Sequence, residues 1–375
     1  MSRTHTDVVV VGGGLIGSAV GWRLSQRGLS VTVVDDGRPG AASQVSAGML
    51  APVTEATFTE ERLLGLNLDS MSRFDEFATE LELASGQPSG LSRTPTLSVG
   101  QTTDDAVRLA DLGGFLRGLG LDAQPLLLRS CRQAEPLLSA QVRGGLLVRG
   151  DWSCDSRLLW SALRSVPGVT RRTGTVSELV LTGGQVSGVR LAGADPELAA
   201  GTVVLAGGSW SGRLELPIDL PIRPIKGQIL RMSPRRNPKP VMTVRAITHG
   251  TEVYAVPHTS GYLVVGATVE ELGFDLTPTG QGVYELLRDI RSVLPVVMEY
   301  ELAEVGVGLR PCAPDNAPIL GPTAVPGLVL ATGHYRNGVL LTPVTADAIA
   351  DLVVEGSLPG SCTGFTIDRF AGGAS

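Results

Sequence analysis

Three glycines near the amino terminus have the spacing of a turn that binds a dinucleotide. Gly12, Gly14 and Gly17 form the pattern Gly-x-Gly-x-x-Gly after a β-branched run, and the next apolar run ends at Asp35. The first glycine of such a turn permits the tight bend, the second lets the backbone approach a diphosphate, and the third lets the helix pack on the sheet. The diphosphate lies at the helix N-terminus, where free N–H groups favour an anion, and the acidic residue accepts hydrogen bonds from the ribose. These residues therefore predict a dinucleotide site.

The motif has meaning only if the right elements surround it. Residues 7–11 predict a strand buried on both faces, apolar residues follow with helical spacing from Leu15 to about Arg27, and 31–34 predict a second strand. Gly28 ends the helix, as a glycine in left-handed conformation commonly does. The chain thus contains a complete βαβ unit around the glycines.

FAD and NAD share this turn, so the residues after it must decide between them. Residues 37–50 are almost all small or turn-forming, at a point where an NAD-binding domain would begin its next helix. Such a stretch suits a backbone that lies against an extended dinucleotide and a flat ring. On composition alone it is also compatible with an ordinary surface loop.

The rest of the chain predicts one discontinuous domain with a second domain inserted into it. Helices are predicted at 60–84, 104–120, 280–293 and 339–354, and strands at 143–150, 186–192, 202–206, 226–232, 252–257, 261–267 and 328–331. The strands between about 216 and 310 are bounded by Pro, Gly and Asn, which is typical of an antiparallel sheet. The predicted boundaries are 1–75, 141–215 and 311–365 for the glycine-rich first domain, 76–140 and 216–310 for the second, and 366–375 for a tail.

Composition and charge exclude several classes of protein. The 31 Lys and Arg residues against 37 Asp and Glu give a net charge of −6, which leaves no broad basic face for nucleic acid or anionic lipid. The longest apolar run, Val8 to Trp22, is too short to span a bilayer, and the first residues do not have the features of a signal peptide. The four cysteines are far apart and form no CxxC pair, so we expect cytoplasmic thiols rather than disulfides or a metal site.

Six segments together resemble the FAD-dependent D-amino acid oxidase superfamily, and most closely its glycine oxidases of thiamine biosynthesis. They are VVVVGGGLIGSAVGWRLSQRG from residue 8, SAGML at 46–50, VVLAGGSWS at 203–211, IKGQ at 225–228, GLRP at 308–311 and ATGHYRNGVLLTP at 331–343. The resemblance implies an α/β fold in which a Rossmann-like FAD-binding domain carries an inserted α+β substrate domain built on an antiparallel sheet, the D-amino acid oxidase/glutathione reductase-2 type. It also implies non-covalent FAD and raises the prospect of a homo-oligomer.

The resemblance assigns cofactor contacts position by position. Those around the nucleotide are Gly12, Gly14, Leu15, Ile16, Gly17, Asp35, Asp36, Ala42 and Ser43, with the backbone of Val176 at the adenine. Those near the flavin are Ala47, Gly48, Met49, Gly207, Gly333, His334, Tyr335, Arg336, Asn337, Gly338, Val339 and Leu340. The family more often has glutamate where this chain has Asp35, and the shorter carboxylate still reaches a ribose.

For the substrate, the resemblance implies a carboxylate clamp. Arg310 in GLRP matches the main clamp, whose guanidinium presents two parallel donors to a carboxylate. Arg336 matches a second arginine near the same group, and Tyr254 matches a pocket tyrosine. The implied reaction oxidises glycine, and also sarcosine or small D-amino acids, to an imine that water converts to a 2-oxo acid and ammonia, while molecular oxygen becomes hydrogen peroxide. No acid–base residue is required, because the cofactor carries the hydride chemistry.

Several alternatives stay open at this point. Cys312 lies close to where the related sarcosine oxidases attach flavin covalently, although the strand 262–265 does not have the oxygen-activating lysine that those enzymes carry. Lys226 could lie near the flavin or form an ion pair between domains, and His249 and His258 are expected to be structural. A dehydrogenase of the same fold and a non-enzymatic flavoprotein are the remaining functional alternatives.

Overall fold

A computed structural model describes residues 4–193 and 197–371. The α-helices are α1 (Leu15–Gln26), α2 (Ala42–Val45), α3 (Glu61–Ser85), α4 (Thr103–Gly118), α5 (Leu128–Ala134), α6 (Ser156–Ser165), α7 (Gly280–Val293) and α8 (Thr342–Glu355). The strands are β1 (Thr4–His5), β2 (Val8–Val11), β3 (Val31–Asp35), β4 (Met49–Leu50), β5 (Leu91–Ser92), β6 (Thr96–Gly100), β7 (Gln124–Leu127), β8 (Gly144–Val148), β9 (Trp152–Cys154), β10 (Val169–Thr173), β11 (Val176–Thr182), β12 (Gln185–Leu191), β13 (Leu198–Ala199), β14 (Thr202–Leu205), β15 (Arg223–Ser233), β16 (Thr243–Thr248), β17 (Thr251–Pro257), β18 (Leu263–Gly266), β19 (Glu301–Cys312), β20 (Ile319–Pro322) and β21 (Leu328–Thr332).

The predicted βαβ unit lies at the centre of a six-stranded sheet with the order β10-β3-β2-β14-β21-β20. Its neighbours are parallel except for β20, which runs antiparallel to β21. Val8 and Val10 pack on one face with α1, α6 and α8, whereas Val9 packs on the other face with residues of β11 and β12. Because both faces are covered, β2 is a continuous apolar run rather than an alternating one.

The antiparallel sheet that the second half of the chain predicts is also present. It has eight strands in the order β19-β15-β18-β17-β16-β6-β8-β7, and its neighbours are antiparallel except for β16 and β6. Leu286 and Ile290 of α7 pack on it in a cluster with Leu230 of β15. The longest ladder joins β15 to β19 and carries Arg310 opposite Ile225. The predicted fold class, a Rossmann-like part with an inserted α+β part, is therefore confirmed.

Some element boundaries differ from the prediction. α8 begins at Thr342 rather than at 339, because Tyr335–Asn337 form a 3₁₀ turn and a proline occupies the start of the helix. The sequence did not predict β19, because Gly306 and Gly308 interrupt its apolar pattern and glycine is a weak strand former.

The division into two domains remains a prediction, although two observations bear on its boundaries. β8 lies within 141–215, which was placed in the cofactor-binding part, yet it pairs with β6 and β7 in the eight-stranded sheet. In the predicted tail, Ile367–Phe370 form a 3₁₀ turn, and 372–375 lie outside the described residues. Within the described part of the chain, no helix has both the length and the apolar character needed to cross a membrane.

Candidate active site and cofactor cavity

A single cavity of about 1100 Å³ runs from the six-stranded sheet to the eight-stranded sheet. The loops that follow β2, β3, β10, β14 and β21 all contribute to its wall at the carboxyl ends of the parallel strands. This edge is where open α/β sheets bind their ligands. Tyr254 and Arg310 of the eight-stranded sheet line the same cavity.

The glycine turn has the backbone geometry that its spacing predicts. Gly12 has φ +103°, and a Cβ there would lie 2.4 Å from the carbonyl oxygen of Ala206. A Cβ on Gly17 would lie 1.9 Å from the carbonyl oxygen of Gly12, so α1 packs against the turn only because this residue has no side chain. Gly14 is the N-cap of α1 and lines the cavity with Leu15.

Asp35 and Ser43 hold this turn from the side of the cavity. Both carboxylate oxygens of Asp35 accept backbone hydrogen bonds, at 2.6 Å from the amide of Gly13 and at 2.8 Å from that of Gly37. The hydroxyl of Ser43 accepts from the amide of Leu15 at 2.9 Å. Each carboxylate oxygen can accept more than one hydrogen bond, so Asp35 can also receive ribose hydroxyls. The residues at this end of the cavity therefore fit the adenosine and diphosphate of a dinucleotide.

Asp36 lines the cavity but already has protein partners. Arg38 Nε donates to Asp36 Oδ2 at 2.7 Å, and the hydroxyl of Thr175 donates to the same oxygen at 3.0 Å. Burial raises the pKa of Asp36, but these hydrogen bonds outweigh burial and leave the pKa below its usual value. The guanidinium of Arg38 lies 5.2 Å from the centre of the Trp210 ring, and both residues line the cavity together with Val176.

Residues 47–49, which the resemblance places near the flavin, are held in position by contacts with Cys154 and His258. Gly48 has φ +74°, and a Cβ there would lie 1.7 Å from the carbonyl oxygen of Cys154. His258 Nε2 lies 2.8 Å from the carbonyl oxygen of Ala47, and its Nδ1 lies 3.2 Å from Oδ2 of Asp155. His258 is thus a buried structural histidine, as expected, and it positions the cavity-lining residues Ala47, Gly48 and Met49. Within the predicted cofactor set, Ile16, Ala42 and Gly207 also line the cavity.

The carboxyl-terminal glycine loop contributes some of its predicted residues to the wall and not others. His334, Tyr335, Arg336, Gly338 and Val339 line the cavity, whereas Gly333, Asn337 and Leu340 do not, and neither does Gly17 of the first turn. These four residues contribute to the backbone conformation or to the core instead. For example, Gly333 has φ +77°, and the carbonyl of Leu340 accepts a hydrogen bond from Ser70. Burial lowers the pKa of His334 to about 3, so this histidine is neutral and holds the hydroxyl of Thr345 at 3.0 Å.

Arg310 and Tyr254 come together at the other end of the cavity. Arg310 Nη1 donates to the carbonyl oxygen of Thr268 at 3.1 Å. Its guanidinium lies over Gly227, where a Cβ would approach Nη1 to 2.5 Å. Among the described residues, no carboxylate forms an ion pair with Arg310. Burial raises the pKa of Tyr254, although Arg310 opposes that effect, so the phenol keeps its proton and can donate a hydrogen bond.

Arg336 lines the same cavity with its charge already compensated. Its Nη2 donates to Glu60 Oε2 at 3.1 Å, and the other oxygen of Glu60 accepts from Asn316 at 3.0 Å. Arg336 thus differs from Arg310, because a carboxylate would have to compete with Glu60 for its donors.

One arginine of the cavity wall that pairs with carboxylates, Arg245, was not predicted as a site residue. Arg245 on β16 donates to Glu55 at 2.7 Å and to Glu252 at 3.3 Å, and all three residues line the cavity. Asp151 holds the loop that carries Glu55, because it accepts the amides of Val53 and Thr54 at 3.1 and 2.7 Å. The alternating pattern of Thr243–Thr248 could have predicted the strand, but it does not distinguish a cavity-facing arginine from a solvated one.

The remaining candidates do not contribute to the cavity wall. Cys312 is buried, and burial raises the pKa of its thiol, which favours the protonated, unreactive form. Lys226 forms ion pairs with Glu270 and Asp275, and all three residues lie within the segment 216–310 that is predicted to belong to the second domain. The ion pair that stayed open as an alternative for Lys226 is thus present, and it lies within one predicted domain. His249 occupies a turn with φ +51° outside the cavity.

Comparisons with known proteins identify the family of the chain. The family model described as DAO, FAD dependent oxidoreductase, matches residues 7–352. The chain belongs to this family of FAD-dependent oxidoreductases. Its cofactor is therefore FAD, for which the glycine turn, Asp35 and the long cavity provide a fitting site.

Individual relatives are similar over almost the whole chain. A bifunctional protein ThiO/ThiG of Trichormus variabilis is 35% identical over 98% of this chain, which spans only 56% of that protein's length. A glycine oxidase of Geobacillus kaustophilus is 31% identical over 98% of both chains. The crystal structure of a glycine oxidase from Geobacillus kaustophilus superimposes with a TM-score of 0.88, at 30% identity, over 98% of this chain and 99% of that one. The resemblance to glycine oxidases stated above is thereby confirmed.

Proposed function

We propose that the protein oxidises small amino acids, glycine foremost, to an imine that hydrolyses to a 2-oxo acid and ammonia, with reduction of molecular oxygen to hydrogen peroxide. The observation that carries this proposal is Arg310, a guanidinium in the cavity wall without a carboxylate partner among the described residues. Arginine presents two parallel donors in the geometry of a carboxylate. A small amino acid held there by its carboxylate would lie in the same cavity as Ala47, Gly48 and Met49, which are predicted to contact the flavin.

Bound FAD would supply the acceptor for a hydride from the α-carbon of the substrate. The protein's share is to orient the substrate and to stabilise its charges. Arg310 binds the carboxylate, and the protonated phenol of Tyr254 donates a hydrogen bond at the same end of the cavity. Arg336 contributes a second positive charge that Glu60 attenuates. The hydride leaves from the form of the substrate that has a neutral amine, and the amine protons pass to water, so none of these steps requires a protein group that takes a proton.

The first test is steady-state peroxide production by the FAD-loaded protein with glycine, sarcosine, D-alanine and D-proline. Turnover of glycine with release of peroxide supports the proposal, and no turnover of any of the four refutes it. Substrate-dependent bleaching of the flavin without peroxide would instead identify a dehydrogenase of the same fold.

The second test is Arg310→Ala. Removing both donors from a charged pair costs about 3–6 kcal/mol, since each such hydrogen bond contributes about 1.5–3 kcal/mol. We therefore expect the KM for glycine to rise by about two to four orders of magnitude while FAD stays bound. An unchanged KM would remove Arg310 from the substrate site.

We further infer a place in thiamine biosynthesis, in which the oxidation product serves thiazole formation. The similarity to proteins named ThiO/ThiG supports this role. The test is growth without added thiamine of a bacterium whose own glycine oxidase gene is deleted and replaced by this one. A cytoplasmic location is in keeping with four buried thiols, and the homo-oligomer stays a prediction.

A further inference from the structure

The segment 267–279, which we call the strap, joins β18 to α7 and contributes to the cavity wall. Thr268 and Glu270 of the strap line the cavity. Further along, Phe274 lies against Trp210, with ring centres 5.7 Å apart. Leu276 reaches the loop before α2, where a Cβ on Gly40 would lie 2.4 Å from its methyl group. The strap therefore extends from the substrate end of the cavity to the side that holds the nucleotide.

Lys226 fastens the strap with a fully buried side chain. Its ammonium group donates to the carboxylate of Asp275 and, at 2.7 Å, to the carbonyl oxygen of Thr277. The carboxylate of Glu270 lies 3.6 Å away, and the backbones of Lys226 and Glu270 exchange hydrogen bonds at 2.9 and 3.0 Å. The hydrogen bond from Lys226 lowers the pKa of Asp275 to about 2, so the Asp275 carboxylate is charged over the working pH range.

Gln228, two residues along the same strand, fastens both ends of the strap. Its backbone amide donates to the hydroxyl of Thr268 at 2.8 Å, and its side-chain amide donates to Glu270 at 2.7 Å. Its side-chain oxygen accepts from the amide of Thr279 at 2.8 Å. Gln228 is completely buried, so these polar groups depend on one another for their hydrogen bonds.

The arrangement has a direct consequence for Arg310. Side chains alternate along a strand, so Gly227 faces the opposite side from Lys226 and Gln228, and its missing side chain leaves room for the guanidinium of Arg310. The carbonyl of Thr268, at the start of the strap, accepts a hydrogen bond from that guanidinium. One strand thus provides the surface beneath Arg310 and also fastens the strap that contacts it.

We propose that Lys226, Asp275 and Gln228 are positioning residues for substrate binding, which hold the strap so that the Thr268 carbonyl fixes the guanidinium of Arg310 toward the substrate carboxylate. The inference rests on the proposed role of Arg310. An arginine side chain has several rotatable bonds, and holding it in one orientation before binding removes an entropic cost that would otherwise weaken the substrate complex.

Asp275→Ala tests this inference, because the Asp275 side chain is 40% exposed and the buried Lys226 keeps the carbonyl of Thr277 and the carboxylate of Glu270 as partners. The melting temperature and the FAD content, measured on the same preparation, show whether the variant is folded. The readout is the affinity for glycolate, a small carboxylate that is not an amine, titrated by its change of the flavin spectrum in the FAD-loaded protein. We expect the dissociation constant to rise roughly tenfold or more, since a hydrogen bond to a charged group is disturbed. Asp275→Glu, which keeps the carboxylate, restores most of the affinity. Glu271→Ala is the matched control, because it removes a strap carboxylate that is 71% exposed and that pairs, among the described residues, with Arg223 alone.

A second experiment tests whether Asp275 affects glycolate binding through Arg310. In an Arg310→Lys background the same Asp275→Ala change weakens glycolate by less than about twofold, because the guanidinium it positions is absent. Release of the strap is followed separately by chymotrypsin cleavage after Leu272 and Phe274, which becomes faster in Asp275→Ala and not in Glu271→Ala.

The outcomes separate this inference from the proposed function. If the unmodified protein binds glycolate and Asp275→Ala binds it equally well, the positioning role is refuted and the clamp stands. An equal loss in the unmodified and Arg310→Lys backgrounds also refutes it, because the strap then acts independently of Arg310. If the unmodified protein shows no binding of glycolate or glycine, the clamp itself fails and the inference fails with it.

Discussion

Gly227→Ala adds one methyl group beneath the guanidinium of Arg310. The new Cβ would lie 2.5 Å from Nη1 and 2.7 Å from Cζ, whereas ordinary contacts begin near 3.4 Å. The obstructing atoms are the end of a flexible side chain rather than backbone, so the guanidinium moves and the strand does not. The displacement is about 1 Å, and we expect it to affect substrate binding much more than folding.

The size of the effect follows from the hydrogen bonds that Arg310 makes. A shift of 1 Å is enough to break one of two parallel bonds to a carboxylate, and each charged bond contributes about 1.5–3 kcal/mol. Because 1.4 kcal/mol corresponds to a factor of about ten, the KM for glycine should rise by about ten- to hundredfold. The assay is the initial rate of peroxide formation against glycine concentration, with the FAD content and the melting temperature measured on the same preparation.

The matched control is Gly114→Ala, on an exposed helical position where a Cβ meets no atom within 4 Å. It should leave the KM unchanged and stabilise α4 by about 0.5–1 kcal/mol. If Gly227→Ala retains its FAD and its melting temperature and still binds glycine with the original KM, the guanidinium does not hold the substrate in the orientation described here.

Three further predictions concern the cofactor and the pH dependence of stability. Gly17→Ala places a Cβ 1.9 Å from the backbone oxygen of Gly12, so the protein should purify without flavin absorbance, whereas Gly65→Ala, which meets no atom within 4 Å, should keep it. Burial lowers the pKa of His334 from 6.5 to about 3, so the unfolded chain binds one more proton than the folded chain between these values. Relative to His334→Asn, the free energy of unfolding should therefore fall by about 1.4 kcal/mol per pH unit as the pH is lowered from 6.5 to 3, measured by chemical denaturation at saturating FAD. Asp151 has the opposite pH dependence, because burial raises its pKa from 3.8 to about 6 and the folded state binds the extra proton. Relative to Asp151→Asn, the free energy of unfolding should fall by about 3 kcal/mol in total as the pH rises from 4 to 6. Parallel plots of unfolding free energy against pH for the two proteins would contradict the raised pKa of Asp151.

The sequence predicted the cofactor turn well because local backbone chemistry determines it. Gly12 has a positive φ, Gly17 is required by its contact with the carbonyl oxygen of Gly12, five residues earlier, and Asp35 ends the strand that a βαβ unit must contain. These features have a fixed spacing, so a short stretch of residues is sufficient to recognise them.

The substrate end was less predictable, because its residues come from distant parts of the chain. Glu55, Arg245 and Glu252 meet in the wall of the cavity only after β16 and β17 have paired beside the loop that follows SAGML. Each of these residues looks like an ordinary solvated charge in the sequence. Their burial and pairing are consequences of tertiary structure, which a single sequence does not display.

The arginines show most clearly why the substrate end of the cavity is hard to predict from the sequence. Almost every cation in this chain is arginine, so residue type alone does not identify a substrate ligand. In the structure Arg245 is neutralised by two carboxylates and Arg336 by Glu60, whereas Arg310 contacts a neutral carbonyl and a glycine. A guanidinium without a carboxylate partner, held in a cavity wall, gains the most from an incoming carboxylate, because binding supplies the charge that its surroundings do not provide. The number of carboxylate partners therefore ranks the three arginines as substrate ligands, and it places Arg310 first.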